Sequence, residues 1–228
     1  MKNNNEEIHN TITGSFEVFH DTWAKENVDR VVKNLTKIKP ELSDTPVHIL
    51  RAPIHTAFVT IEQQIYVSHR LLELCADDAV LAFIISHEFA HLKLGHLDYD
   101  NGWISEQAPE FIDSLVGMLK INLNRLVNGC DDEAEADLYA LRLCIQAGYD
   151  AENCLKIFDI LEKVALDHGD IEGVYGPDSL YEDLHGEQSW SDRLEIWWYY
   201  KNRGYLPVIH RKKVLLDMLK EDQLDQCG

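Results

Sequence analysis

The 228-residue chain has no run of about 18 apolar residues, so no membrane-spanning helix is expected. The nearest candidate, "FIDSLVGMLKINLNRLV", is broken by Asp113, Lys120 and Arg125 and reads as an amphipathic helix. Cysteine is scarce. The five are Cys75, Cys130, Cys144, Cys154 and Cys227, an odd number with no Cys-x-x-Cys pair. That argues against a disulfide framework and against a cysteine-rich metal module. Cys75, Cys144 and Cys154 sit among apolar neighbours and read as small core residues; a reducing cytoplasm is the expected location. Basic residues are also few, 21 against 40 acidic ones, for a formal net charge of −19. Such a surface repels phosphate backbones, so no nucleic-acid partner is expected. The opening "MKNNNEEIHN" has no apolar run behind its single lysine and reads as neither a secretory signal nor a transit peptide.

What is present suits one globular domain. Hydrophobic residues make up 45%, enough for a core at this length. Residues 1–14 are polar and read as a flexible end, leaving 15–225 as a single domain. The apolar positions Phe16, Phe19, Trp23, Val28, Val31, Val32 and Leu35 keep mostly helical spacing up to Pro40. "VHIL", "TAFVTI" and "QIYVS" are short and β-branched, with "EQQ" as a hairpin turn, which predicts a small antiparallel sheet. A short helix follows at 69–75. Asp77 or Asp78 can cap a long helix that stops at Gly95. Further helices are predicted over 109–127, from Asp131 or Asp132 to Gly148, over 151–168, and in "WSDRLEIWWYYKNRG" and "VIHRKKVLLDMLKED". The polar, turn-rich stretch at 169–189 reads as a loop. The fold class is α+β, mostly helical.

The chemistry lies in "VLAFIISHEFAHLKLGH". Residues four apart share a helix face, so His87 and His91 can hold one metal ion between them. Glu88 is rotated by about 100°, within reach of a water on that ion without being a ligand. Zinc lowers the pKa of such a water to about 7, and Glu88 can take its proton and pass it to a leaving amine. Three polar groups in so apolar a helix are costly unless paired or metal-bound.

A catalytic zinc needs a third protein ligand. The candidates are His96, Cys130 and Glu133. Gly95 and His96 fall four and five residues after His91, not at the three and six of the metzincin pattern. A Cys130 thiolate would make a tighter, less catalytic site. Glu133 opens "EAEAD". Four residues on, Asp137 shares its helix face and could accept the far ring N–H of His87. On its own, that acidic run would read as a solvated helix start. Beside "HEFAH" it supplies both missing parts.

"SHEFAHLKLGH" followed by "EAEAD" resembles the gluzincin peptidases of the family that includes the CAAX prenyl endopeptidases and the heat-shock protease HtpX. Upstream, "TAFVTIEQQIYVSHRLLELCADDAV" is similar to that family's strand–strand–helix lead-in, with Thr56 in place of an Asn. The resemblance covers about residues 45–145. It implies a zincin-type catalytic domain with Zn2+ on His87, His91 and Glu133, Glu88 as base and Asp137 orienting His87. It also implies an edge strand at Thr56, Ala57 and Phe58 that pairs with substrate backbone. His96 matches a family histidine and is expected to be structural, turned from the metal. The family's late oxyanion histidine and its arginine correspond to His185 and Arg193 in "LHGEQSWSDRLE", eight apart instead of six and without the proline; His168 and Tyr181 are other candidates for that role. The expected activity is zinc-dependent hydrolysis of peptide bonds in a peptide or protein, as a soluble member of the family. The alternatives are a catalytically weak metal-binding scaffold and a DNA-associated protease of the SprT type. Intact Glu88 argues against the scaffold, and the charge of −19 with the Glu-x-x-Ala-Asp helix argues against the SprT type.

Overall fold

In the computed structural model, the described residues are 5–97, 129–176 and 207–226. The elements run α1 (Asn5–Ser15), α2 (Thr22–Leu35), a 3-10 turn (Pro40–Asp44), β1 (Val47–Leu50), β2 (Ala57–Val59), β3 (Ile65–Ser68) and α3 (His69–Leu74). They continue with α4 (Asp78–Leu94), α5 (Gly129–Gln146), α6 (Ala151–Cys154), α7 (Lys156–Asp167), α8 (Ile171–Tyr175) and α9 (Val208–Gln226). The helices expected over 109–127 and at "WSDRLEIWWYYKNRG" lie outside the described residues.

The three strands run in the order β1-β3-β2. β2 and β3 form the expected antiparallel hairpin, Ala57 opposite Val67 and Val59 opposite Ile65. β1 instead pairs parallel to β3, so the sheet is mixed. The chain from Leu50 to Ala57 lets β2 enter reversed on the far side of β3. The hairpin turns at Thr60–Gln64 through a Gln63 with φ 60°, a position glycine or asparagine usually fills.

The sheet is covered on both sides because its strands alternate. Val47, Ile49, Ala57, Val59, Ile65 and Val67 join the main core with α2 and α4. Leu50, Phe58 and Tyr66 join a second cluster under α1, with Ile8, Ile12 and Phe16. Polarity makes residues 1–14 look like a frayed end, yet Ile12 is 1% exposed and the helix runs from Asn5. Tertiary contact supplies what helix propensity lacks. α2 starts where Asp21 accepts the Ala24 N–H and buries Ala24, Val28, Val31 and Leu35, one face at helical spacing.

α4 is the central element. Asp77 caps it by accepting the Ala79 N–H, and Gly95 closes it with φ 77° in the left-handed region. Every residue from Ala79 to Ser86 is buried, because α2, the sheet, α5, α6 and α7 pack around it. The expected helix over 151–168 is two pieces, α6 and α7, with Leu155 at the junction. A short helix, α8, occupies part of the stretch read as a loop. Cys144 and Cys154 are buried free thiols, as their apolar surroundings suggested.

Candidate functional site

Helical spacing puts His87 and His91 one turn apart on α4, with their Nε2 atoms 3.1 Å apart. α5 packs along α4 and presents Glu133 and Asp137 from its own successive turns. Glu133 Oε2 lies 3.4 Å from His87 Nε2, and Oε1 lies 3.4 Å from His91 Nε2. The three side chains converge as a group able to hold an ion. A tetrahedral ion with bonds of 2.0–2.1 Å keeps its ligand atoms roughly 3.3 Å apart, and the observed separations bracket that value. Three protein ligands leave a coordination position for water or substrate, which is the catalytic pattern. Among the described residues no fourth ligand side chain joins the group. The residues fit a metal.

Asp137 Oδ1 is 3.0 Å from His87 Nδ1, close but off the line of a straight hydrogen bond. The sequence expectation for Asp137 was this contact. His96 does not join the ligands. Its Nδ1 lies 3.1 Å from Nδ1 of His91, and its Nε2 lies 3.4 Å from Glu135 Oε2. If His91 turns its Nε2 lone pair to a metal, its Nδ1–H can donate to His96, whose Nε2–H can donate to Glu135. Each metal-facing histidine is therefore backed by an acceptor on its far nitrogen.

Electrostatics follow from burial. Burial alone would lower the His87 pKa, but the facing carboxylates of Asp137 and Glu133 outweigh it and push it up to about 10. Burial likewise opposes ionisation of Glu133, yet His87 and Arg211 hold its carboxyl well below the usual range. The two carboxylates that flank His87 favour a cation at this position, and a metal ion would compete there with a proton. Glu88 is 8% exposed at the same turn of α4.

One site residue escaped the sequence. Arg211, on α9, donates from Nε and Nη2 to the two oxygens of Asp137, each at 2.7 Å. It stands 74 residues from Asp137, in a run "HRKK" that reads locally as a solvated basic patch. No local signal marks it.

Thr56 leads into β2, its N–H donating to Ser68 Oγ at 3.1 Å. β2 bonds only to β3 in the sheet, so its outer edge is unpaired among the described strands. Phe58 turns to the α1 side and stacks on Tyr66 at 5.1 Å, so only the backbone at this position can serve a peptide. His168 ends α7 with Nδ1 2.7 Å from the Val164 carbonyl. His185, Tyr181 and Arg193 lie outside the described residues, as does the side chain of Cys130. No described helix is long and apolar enough to cross a membrane.

Comparison with curated proteins finds no match. A family model does match, Peptidase family M48, over residues 22–191. That span takes in the sheet, the His87–His91 helix and the Glu133–Asp137 helix. The chain belongs to peptidase family M48 and, with that family, to the metallopeptidases.

Proposed function

We propose that the chain is a zinc-dependent endopeptidase, with zinc on His87, His91 and Glu133 and Glu88 as the base. The observation that carries this is the convergence of those three ligand atoms beside a buried glutamate. Zinc, when bound, would supply Lewis acidity and an acidified water. Glu88 takes a proton on its carboxylate and returns it to the leaving amine. Asp137 keeps the His87 proton on Nδ1, which leaves Nε2 free as a ligand. The open edge of β2 from Thr56 to Phe58 pairs with the substrate main chain, giving affinity without strong sequence choice. We assign the oxyanion role to His185 and an organising role to Arg193; removing one such donor is expected to lower kcat about 10²–10³-fold. The free buried thiols fit a cytoplasmic protein. A scaffold reading has no such support, since Glu88 stands in place.

The test is hydrolysis of casein by the wild-type protein and by Glu88→Gln, with bound metal measured in both. Loss of cleavage with metal retained supports the reading. Undiminished cleavage by Glu88→Gln, or cleavage that survives full chelation, would sink it.

A further inference from the structure

Helix α9 lies beyond the residues matched by the family model, yet it delivers a buried cation to the ligand set. The Arg211 fork holds both oxygens of Asp137 at 2.7 Å. Two parallel bonds fix the plane of a carboxylate as well as its distance. The oxygen held by Nη2, Oδ1, is the one 3.0 Å from His87 Nδ1. The same Nη2 lies 3.4 Å from Glu133 Oε2, which in turn is 3.4 Å from His87 Nε2. One guanidinium therefore touches both carboxylates that flank His87. The Arg211 side chain is 13% exposed and that of Asp137 2%. The Phe158 ring backs the guanidinium at 5.6 Å.

We propose that Arg211 is a positioning residue for the metal centre: it locks the Asp137 carboxylate where that group orients His87, and so makes α9 part of the site. The proposal rests on the metal reading of His87, His91 and Glu133. Two effects of the guanidinium oppose each other. Its charge repels a dication, and its fork keeps Asp137 and His87 from turning. Loss of a group that orients a metal-bound histidine typically weakens metal binding about 10–100-fold, and positioning is the effect assigned here.

The experiment measures Zn2+ affinity by chelator competition in the full chain, with Arg211→Lys, Arg211→Met, Asp137→Asn and the double variant Arg211→Met/Asp137→Asn. Arg211→Met is expected to bind Zn2+ about 10–100-fold more weakly. Arg211→Lys should lose Zn2+ affinity as well, since one ammonium keeps the repelling charge and replaces the fork by a single contact. In the Asp137→Asn background, Arg211→Met should add little, because the arginine acts through the aspartate. Circular dichroism and metal-free melting are followed alongside. A merely structural arginine would lower the melting temperature and leave the Zn2+ affinity of the folded protein unchanged. Wild-type or tighter affinity in Arg211→Met overturns the proposal, as do losses that multiply in the double variant. Should Arg211→Met fail to fold with Asp137 left uncompensated, Arg211→Lys decides: undiminished affinity there overturns it equally. A wild-type chain that takes up no Zn2+ overturns the metal reading itself, and this proposal with it.

Discussion

His87 carries more of the site than any other side chain. Its Nε2 faces His91 and Glu133, and its Nδ1 faces Asp137. A neutral imidazole can serve as a ligand only if its proton sits on the far nitrogen, and Asp137 favours that tautomer. Asp137→Asn keeps the shape but removes the charge. It is expected to weaken metal binding about 10–100-fold, as read by chelator competition, and to lower stability, as read by thermal melting, because Arg211 stays buried opposite a neutral amide. A variant with undiminished affinity would contradict the orienting role. The raised His87 pKa adds a second expectation at this scale. Metal uptake at neutral pH should release protons from the site, measurable as a buffer-dependent heat in calorimetry; a heat independent of the buffer's ionisation enthalpy contradicts it.

At the scale of elements, α4 is defined by its ends. Asp77 accepts the Ala79 N–H, and an Ala there is expected to cost about 1 kcal/mol in urea denaturation. A Cβ at Gly95 would meet only open space, but the backbone φ there is 77°. Gly95→Ala is therefore strained by backbone alone and should cost about 1–2 kcal/mol. No loss on Gly95→Ala would mean that the helix ends otherwise. α1 makes a different prediction. It lies over the outer sheet face, where His9 Nδ1 is 2.8 Å from Tyr66 Oη and the His9 and His48 rings are 4.8 Å apart. Burial, then the neighbouring His9, lowers the His48 pKa, while its bond to Gln64 opposes the shift. Glu62 and Tyr66 lie nearby, both shifted toward their neutral forms, chiefly by burial. With a folded pKa below the unfolded value, His48 contributes stability that is present above about pH 6.5 and is lost as pH falls through the folded value. His48→Gln should flatten the pH dependence of unfolding between about pH 7 and 5; an unchanged slope contradicts it.

At the scale of the whole molecule, the legible parts are those with local signals. The helix carrying "HEFAH" could be placed because a cap at each end brackets a continuous apolar run. The β2–β3 hairpin showed in its β-branched runs. The partner helix of Glu133 showed because its acidic residues keep a four-residue spacing. What stayed hidden depends on contacts distant in sequence. The parallel pairing of β1 leaves no mark within "VHIL". α1 is polar, and its helix is held by Leu50, Phe58 and Tyr66, which lie some forty or more residues on. Arg211 meets Asp137 only because α9 packs against α5. Metal binding should also stabilise the whole domain, since α4, α5 and, through Arg211, α9 meet at the ligand set. An ion at 100 times its Kd adds about 2.7 kcal/mol, so a chelator should lower the melting temperature of the wild type and not of His91→Ala.

The most direct measurement is metal stoichiometry by mass spectrometry under non-denaturing conditions, on wild-type protein and His91→Ala purified without chelator. One zinc per chain is expected in the wild type and none in His91→Ala. A wild-type chain without metal, or a His91→Ala variant that keeps its full complement, overturns the assignment of His87, His91 and Glu133 as ligands.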